Sequence, residues 1–317
     1  MGMNLLGSRL RQVLDLAARD HFLALGQMGR TVRYLVNHPS PVRNRVRAIV
    51  RLVWRQFSKR VILRPIIFHW HGMVFEVFPE STCAGSVYYL DMPDWWEMRF
   101  LQRFLRPGDV AADVGANIGV YSMLAASLVG PEGSVVAFEP DPLNVDRLRR
   151  QVQRNQLSQL HIVEAAVAER CSELFLKAGK DSLSSIAMGP SEGIAVAAVS
   201  LDNYFESRRP PIYIKVDVEG YEEAVVRGAS SLMQRNFPLV WQLELGGMKN
   251  CYGYSEASIC NKLISHGYQF CRYNADQGTL TPLGQIYGDH QDNVLAVRDL
   301  SDVAARMRQV YEGSRGP

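Results

Sequence analysis

The chain of 317 residues has the composition of an ordinary globular protein, with 47% hydrophobic and 21% charged residues. It contains no run of about 18 apolar residues, so we expect no transmembrane helix. Arg9 and Arg11 interrupt the only apolar start, which argues against a signal peptide. The five cysteines form no Cys-x-x-Cys pair, so reduced thiols in a cytoplasmic protein are the simplest expectation.

The net charge of +3 conceals an uneven distribution along the chain. Residues 1–64 contain 13 Lys and Arg but only two acidic residues, Asp15 and Asp20, which gives a balance of +11. The remainder of the chain is acidic, with a balance of −8. The basic surplus therefore belongs to an N-terminal extension, whose role is a separate question from that of the rest of the chain.

The first strong element in this extension is an amphipathic helix over about residues 44–63, and a weaker helical pattern covers about residues 8–25. Apolar residues recur at steps of three and four, opposite a row formed by Arg47, Arg51, Arg55 and Lys59. This pattern fits a helix lying on an anionic membrane surface, and it equally fits a packed helix with a solvated basic face. The apolar positions are Val46, Ile49, Val50, Val53, Trp54, Phe57 and Val61.

The pattern then changes to that of β-structure. Residues 66–78 alternate with a period of two around Gly72, which predicts two strands joined by a turn. Residues 81–86 are predicted to be a Ser/Gly loop, and Trp95 to Leu105 a helix.

From Val110 onward, predicted strands and helices alternate. The strands are Val110–Val114, Ser134–Phe138, Leu160–Val167, Ile212–Val216, Leu239–Leu243 and Asn293–Val297; the helices are Gly119–Leu128, Leu143–Asn155 and Glu222–Gln234. This alternation indicates an α/β fold, Rossmann-like, with a mostly parallel sheet covered on both faces and the last strand at its edge. We therefore divide the chain into the basic helical extension 1–65, an α/β domain 66–300 and a C-terminal tail 301–317.

The turn after the first of these strands has the features of a cofactor site. Asp113, Gly115 and Gly119 lie in it, glycines allow a ligand to approach the backbone, and the following helix N-terminus offers unpaired N–H groups. Glu139, at the end of the second strand, can accept hydrogen bonds from both hydroxyls of a ribose. Together they predict a cofactor that contains a ribose.

A nicotinamide-dependent oxidoreductase would share these two features. The glycine pattern Asp-x-Gly-x-x-x-Gly differs from the dinucleotide pattern, and no Tyr is followed by Lys four residues later. A catalytically silent cofactor-binding partner protein is a third interpretation that the residues leave open.

Five blocks of the sequence, taken in order, resemble the FkbM family of methyltransferases. The blocks are Leu105–Asp109, Asp113–Ser122, Phe138–Pro140, Ser200–Asp202 and Ile214–Gly220. The resemblance extends from about Val74 to Val297 and does not include residues 1 to about 65. It implies the class I methyltransferase fold, S-adenosylmethionine as cofactor and, usually, transfer of a methyl group to a hydroxyl oxygen of a polyketide, a sugar or a lipid-linked saccharide.

The resemblance also assigns residues to the methyl donor. The positions are Glu97, Asp113, Gly115, Ala116, Asn117, Gly119, Glu139 and Pro140. Of these, Gly115 to Asn117 would line the methionine and ribose parts, Glu139 would hold the ribose hydroxyls, and Pro140 would flank the adenine. Glu97 would close over the donor.

The candidates for proton transfer lie at the ends of two later strands. Asp217 and Glu219 follow the fourth strand and Glu244 follows the fifth, where open α/β sheets bind their ligands. These carboxylates can act as a general base with an orienting group, or they can converge on a divalent cation. A purely structural alternative is that Asp217 caps the next helix and Glu244 pairs with Lys215. We expect buried Lys215 to pair with a carboxylate.

We assign no metal site, because His69 and His71 lack a third ligand, and His290 is only a candidate base. The expected partner is a small-molecule or glycan- or lipid-linked acceptor, without nucleic acid, and the oligomeric state is not predicted. The acceptor-facing segments are predicted at residues 178–193 and 246–258. We expect a cytoplasmic protein, with peripheral contact to the inner face of a membrane through residues 44–63 as an open alternative.

Overall fold

The computed structural model describes residues 31, 33–35, 37–39, 45–79, 81–177, 184–187, 189–245, 252–284 and 292–313. The helix predicted at about residues 8–25 and the candidate base His290 lie outside the described residues. In the described part of the chain, no helix is long and apolar enough to cross a membrane.

Fourteen strands and ten helices are described along these segments. The strands are β1 Ile66–Trp70, β2 Met73–Val77, β3 Val110–Val114, β4 Ser134–Phe138, β5 Leu160–Val163, β6 Ala166–Val167, β7 Ser172–Lys177, β8 Ser185–Ile186, β9 Ile194–Val199, β10 Tyr213–Val216, β11 Val240–Leu245, β12 Gln269–Asn274, β13 Thr279–Pro282 and β14 Asp292–Val297. The helices are Arg45–Val61, Thr82–Leu90, Trp95–Phe104, Val120–Val129, Pro142–Asn155, Leu201–Tyr204, Glu222–Arg227, Ser230–Gln234, Glu256–Ser265 and Leu300–Gly313.

The main sheet has eight strands in the order β13-β12-β14-β11-β10-β3-β4-β5. The five strands from β11 to β5 run parallel, which confirms the predicted α/β fold. The last strand was expected at the edge of the sheet, and this prediction is wrong. β14 pairs antiparallel with β11 on one side and with β12 on the other, because a hairpin of β12 and β13 extends the sheet beyond it.

Alternate residues of the central strands enter two separate cores. Ala111 on β3 belongs to one hydrophobic cluster, whereas its neighbours Val110 and Ala112 belong to the other. Since successive side chains of a strand point to opposite faces, the sheet is covered on both sides. This arrangement leaves the carboxyl ends of the parallel strands as the place where functional side chains converge.

A second sheet, with the order β6-β9-β7-β8, was not predicted. The segment predicted as one strand over Leu160–Val167 is divided between the two sheets: β5 pairs with β4, and β6 pairs with β9. The predicted helix Glu222–Gln234 is also divided, into two short helices on either side of Gly228. A Cβ at Gly228 would lie 3.1 Å from the carbonyl carbon of Ala168, so the break allows close approach to β6.

The loop predicted over residues 81–86 is wrong, because most of this segment is helical. Ser81 is the N-cap of the helix Thr82–Leu90, and its hydroxyl accepts a hydrogen bond from the backbone N–H of Ala84 at 3.3 Å. Ala84 and Val87 are fully buried. The small residues of this segment pack against neighbouring elements, whereas the Ser and Gly content is typical of a loop.

The N-terminal helix Arg45–Val61 forms as predicted, but it packs in an unexpected orientation. Ala48, Leu52, Arg55 and Ser58 are buried, and Arg55 donates hydrogen bonds to the carbonyl oxygens of Phe78 and Ser81. Arg55 therefore does not belong to a solvated basic face. The predicted apolar positions are the exposed ones: Val46, Ile49, Val50, Val53, Trp54, Phe57 and Val61.

The C-terminal helix Leu300–Gly313 packs on the α/β domain. Val303 and Met307 are buried, and the Arg306 guanidinium donates to the carbonyl oxygen of Phe104 at 2.8 Å and pairs with Asp109. The described part of the predicted tail is thus attached to the helix Trp95–Phe104.

Candidate functional site

A cavity of about 380 Å³ lies at the carboxyl ends of β3, β4, β10 and β11. This is the position at which open α/β sheets bind their ligands, and the volume is within the range of small-molecule sites. The lining residues predicted from the sequence are Asp113, Gly115, Ala116, Asn117, Glu139, Pro140, Asp217, Glu219 and Glu244.

The two other predicted site residues do not line this cavity. Gly119 precedes the helix Val120–Val129, where its φ of 90° requires glycine. Glu97 lies on the helix Trp95–Phe104, and Asp94, just before this helix, lines the cavity instead.

The backbone N–H groups of the turn after β3 all donate hydrogen bonds within the protein. The N–H groups of Gly115 and Ala116 both donate to the carbonyl oxygen of Phe138 at 3.0 Å, and that of Asn117 donates to Glu139 Oε2 at 2.7 Å. The N–H groups of Ile118 and Gly119 donate within the turn. These five amides precede the helix N-terminus, where the sequence predicts unpaired N–H groups, and all five are occupied by acceptors within the protein. A turn that holds a pyrophosphate needs free amides, so the geometry favours a ligand without phosphate at this point.

Gly115 permits β3 and β10 to approach each other at the floor of the cavity. Its φ is 82°, and a Cβ there would lie 2.9 Å from the carbonyl carbon of Asp217 and 3.2 Å from Val218 Cγ1. Both the backbone conformation and the space exclude a side chain. The absence of a Cβ thus places the donor turn against the residues that follow β10.

Glu139 is a buried carboxyl whose two oxygens are already held by the backbone. Oε2 accepts from Asn117, and Oε1 accepts from the N–H of Asp141 at 2.9 Å. Desolvation by burial outweighs these hydrogen bonds and raises the pKa of Glu139 to about 7. Each carboxylate oxygen retains a second acceptor position, so an ionised Glu139 can still accept from two ribose hydroxyls.

Lys215 is the centre of a buried charge cluster. Its Nζ donates a hydrogen bond to Asp217 Oδ2 at 2.7 Å and lies 4.7 Å from the centre of the Tyr121 ring. In the register of the sheet, Lys215 on β10 stands beside Asp113 on β3. Burial alone would lower the pKa of Lys215, but the carboxylates of Asp217 and Asp113 outweigh it and raise the pKa. Lys215 is therefore a permanent cation, and its pairing with a carboxylate agrees with the sequence prediction.

Asp217 and Glu244 share a proton across the cavity floor. A hydrogen bond from Glu244 to Asp217, together with burial, raises the pKa of Glu244. Although burial opposes it, Lys215 lowers the pKa of Asp217. At neutral pH the pair is thus an ionised Asp217 and a protonated Glu244. Asp217 does not cap the next helix, because Glu222 accepts from Gly220 in that turn at 3.0 Å.

Glu219 is the partly exposed carboxyl of the group. Its backbone adopts a φ of 51°, in the left-handed region that residues other than glycine rarely occupy. Such strain is typical of functional positions. Burial and the nearby charge of Asp217 raise the pKa of Glu219, which makes it a stronger proton acceptor than Asp217.

Sequence reasoning missed a hydrogen-bonded chain next to the charge cluster of Lys215. Tyr121 donates to Asp94 Oδ2 at 2.9 Å and accepts from Gln242 Nε2 at 3.2 Å, while Tyr213 donates to Gln242 Oε1 at 2.5 Å. Asp94 is buried, and burial raises its pKa. Tyr121 lies inside a block that resembles the family, so its place in the site could have been predicted from the sequence. The place of Asp94 in the site results from how the start of a helix packs in the folded protein, which no local sequence pattern reveals.

Among the described residues, no group of three or more His, Cys, Asp or Glu side chains is arranged to hold a metal ion. His71 lies 3.7 Å from Asp91, and His69 is exposed on β1. Neither histidine lines the cavity.

The cavity fits a cationic, ribose-bearing cofactor. Asp113 Oδ1 is buried without a hydrogen-bond partner among the described residues, while Oδ2 accepts from the hydroxyl of Ser122. An unpartnered buried acceptor calls for a donor group, and an ammonium group on a ligand supplies one. Glu139 suits the ribose, and the excess of carboxylates suits the positive charges of S-adenosylmethionine.

The sheet and the cavity at its carboxyl edge are those of the class I methyltransferase fold. The family model for the methyltransferase FkbM domain matches residues 113–270, and the chain belongs to the FkbM family through this domain. The cofactor is S-adenosylmethionine. The predicted family, fold and cofactor are thus confirmed.

Two curated relatives match parts of the chain. The hexuronic acid methyltransferase AglP of Haloferax volcanii is 27% identical over 147 residues, which are 45% of this chain and 59% of that protein. The 31-O-demethyl-FK506 methyltransferase FkbM of Streptomyces tacrolimicus is 50% identical over 54 residues, which are 17% of this chain and 20% of that protein. The chain therefore spans less than two thirds of either relative.

Solved structures of low similarity also match. Methyltransferase FkbM from Methylobacillus flagellatus is 16% identical with a TM-score of 0.41, over 81% of this chain and 60% of that one. Aeropyrum pernix fibrillarin with bound S-adenosylmethionine is 13% identical with a TM-score of 0.37, over 73% of this chain and 81% of that one.

Proposed function

We propose that the protein is an S-adenosylmethionine-dependent O-methyltransferase whose acceptor is a hydroxyl group of a saccharide, a glycolipid or a secondary metabolite. The observation that carries this proposal is that one cavity joins the donor residues to the carboxyl cluster. Glu139 and Gly115 lie on one side, and Asp217, Glu219 and Glu244 on the other. Membership of the FkbM family supports methyl transfer, and the similarity to AglP supports a sugar acceptor.

The protein's part in such a reaction is to align the hydroxyl and remove its proton. S-adenosylmethionine supplies an already activated methyl group, so proximity and orientation account for much of the rate. A base is most effective when its pKa is close to the working pH. Glu219 fits this role better than Asp217, because the pKa of Glu219 is raised while Lys215 lowers that of Asp217.

The neighbouring groups orient the acceptor. Protonated Glu244 donates its proton to Asp217, which leaves its carbonyl oxygen to accept a hydrogen bond from a neighbouring hydroxyl of the acceptor. The Lys215–Asp217 pair keeps that arrangement fixed. In this proposal Glu219 would accept the proton of the reacting hydroxyl. S-adenosylmethionine, when bound, would supply the methyl group, and the electron pair of the broken carbon–sulfur bond would remain with the departing S-adenosylhomocysteine.

The test is methyl transfer from isotopically labelled S-adenosylmethionine to a panel of acceptors that includes hexuronic acid glycosides, neutral glycosides and lipid-linked saccharides. We expect a mass increase of one methyl group on a hydroxyl oxygen of at least one acceptor. The variant Glu219→Gln should reduce kcat at least about 10²-fold, in line with the contribution of a general base.

The matched control is Glu173→Gln, an exposed carboxyl on β7 outside the cavity. It should retain the wild-type rate. Methylation on nitrogen or carbon, or an unchanged kcat in Glu219→Gln, would contradict the proposed chemistry.

A further inference from the structure

The largest feature that the cavity does not explain is an exposed apolar surface on the N-terminal helix. Ten of the fourteen exposed large hydrophobic residues in the described part of the chain lie between residues 46 and 67. We call the seven of these that share one side of the helix Arg45–Val61 the apolar face: Val46, Ile49, Val50, Val53, Trp54, Phe57 and Val61. Such a concentration on one side of a folded protein marks a contact site.

The orientation of this face is fixed by contacts on the other side of the helix. Ala48 and Leu52 pack against Leu35 and Leu90, and Arg55 is buried next to Gly85. A Cβ at Gly85 would lie 3.0 Å from the Arg55 guanidinium carbon, so glycine makes room for this side chain. The helix therefore cannot rotate to bury the apolar face without losing a built contact.

The charges around the apolar face point to its partner. On a helix with 100° between residues, the apolar residues lie on the side away from Ala48 and Leu52, while Arg45 lies at one margin, Arg47 at the other and Arg60 among the apolar positions. Arg60 and Arg64 are also exposed. No acidic residue occurs between Asp20 and Glu76.

We propose that the apolar face docks on an anionic phospholipid surface. An exposed apolar stripe that contains Trp and Phe, with basic residues at its margins, is the pattern of helices that lie in the membrane interface. Anionic headgroups complement the basic margins, and the acyl boundary accepts the apolar side chains. A protein partner would need acidic groups at both margins of an apolar groove, whereas an anionic membrane supplies both properties along its whole surface.

The docking helix is connected to the wall of the cavity. The Arg51 guanidinium donates to the carbonyl oxygen of Tyr88 at 3.0 Å and lies over the Tyr88 ring. Tyr88 is part of the helix Thr82–Leu90, whose Ser86 lines the cavity. Docking would therefore leave the helix Arg45–Val61 between the membrane and the helix Thr82–Leu90, so the membrane could act on this wall of the donor site only through the contacts of Arg51. This consequence rests on the proposed function, whereas the docking proposal itself does not.

The test is co-sedimentation of the full chain with vesicles of phosphatidylcholine alone and of phosphatidylcholine mixed with phosphatidylglycerol. We expect sedimentation with the anionic vesicles and loss of most of it at about 1 M salt, where the Debye length falls to about 3 Å. The variant V53S/W54S/F57S should reduce the partition coefficient at least about tenfold, because each side chain loses apolar contact with the acyl boundary.

Two control variants separate the contribution of the apolar face from those of other exposed apolar residues and of the basic charges. The variant L143S/I194S/I264S removes three exposed apolar side chains from other elements and should sediment like the wild type. The variant R45Q/R47Q/R60Q should lose the preference for anionic vesicles. Thermal unfolding should show that all three variants fold, since exposed side chains contribute little to stability.

Equal sedimentation of V53S/W54S/F57S and the wild type overturns the proposal, as does a wild-type protein that stays in the supernatant. Size-exclusion chromatography identifies a competing occupant. A wild-type dimer that V53S/W54S/F57S converts to a monomer, without vesicle binding, would assign the face to a second copy of the chain. Vesicle binding does not depend on methyl transfer, so the two proposals can fail separately.

Discussion

The close approach at Gly115 gives the most quantitative prediction. In Gly115→Ala, the left-handed backbone costs about 1–2 kcal/mol for a residue with a Cβ. The new Cβ would also lie 2.9 Å from the carbonyl carbon of Asp217, so a backbone shift is needed. Forced overpacking of this kind adds about 1–3 kcal/mol. We therefore expect the free energy of unfolding to fall by about 2–5 kcal/mol and the affinity for S-adenosylmethionine to fall at least about tenfold.

The control is Gly108→Ala, which isolates the backbone effect. Gly108 has a φ of 87°, and a Cβ there would meet no heavy atom within 4 Å. This variant should lose only about 1–2 kcal/mol and bind the donor normally. Chemical denaturation measures the stabilities, and calorimetric titration measures the affinities. If both variants lose the same stability and bind the donor equally, the contact between Gly115 and the Asp217 backbone does not matter, and the reasoning is refuted.

Three further predictions concern the buried charges. Burial raises the pKa of Glu139 to about 7 from an ordinary value of 4.5, so the folded state holds this proton more tightly than the unfolded state does. The free energy of unfolding should therefore fall by up to about 3 kcal/mol as the pH rises from about 4.5 to 7. Denaturation of the wild type and of Glu139→Gln at both pH values measures this difference. S-adenosylmethionine affinity should fall below about pH 7, because a protonated Glu139 accepts fewer ribose hydrogen bonds, and the pH slope in calorimetry should disappear in Glu139→Gln. Lys215→Met should destabilise by about 3–5 kcal/mol in chemical denaturation, because Asp217 and Asp113 lose their cation. Lys59→Met, on an exposed helix position, should cost less than about 0.5 kcal/mol.

The elements around the donor turn were predictable because each carries a strong local signal. β3 is buried at all five positions and reads as a continuous apolar strand, and β4 was predicted with its observed bounds. Glu139 was predicted from its place at the end of β4. The carboxyl cluster followed from the rule that ligands bind at the carboxyl ends of parallel strands.

The sequence did not show which side of the N-terminal helix packs on the protein, because the more apolar side is the exposed one. Leu52 and Ala48 carry the buried side, and Arg55 joins them only because Gly85 leaves space. Periodicity shows that one face is apolar and assumes that this face is buried. A helix whose apolar face stays exposed violates that assumption, so the alternative of a packed helix with a solvated basic face is wrong.

The second sheet and the occupied amides were missed for a related reason. β9 is an apolar run of six residues, but β6 and β8 of the same sheet have only two residues each, which gives little strand signal. Whether the N–H groups of the donor turn are free depends on Phe138 and Glu139, which belong to the next strand. Such pairings appear only when the two strands are placed side by side.

Calorimetric titration of the protein with S-adenosylmethionine, S-adenosylhomocysteine and NAD tests the central claim most directly. The occupied amides of the donor turn and the carboxylate lining predict binding of the first two compounds and no binding of NAD. They also predict that Glu139→Ala weakens the binding of both methyl-donor forms. Binding of NAD without binding of S-adenosylmethionine or S-adenosylhomocysteine would contradict the account.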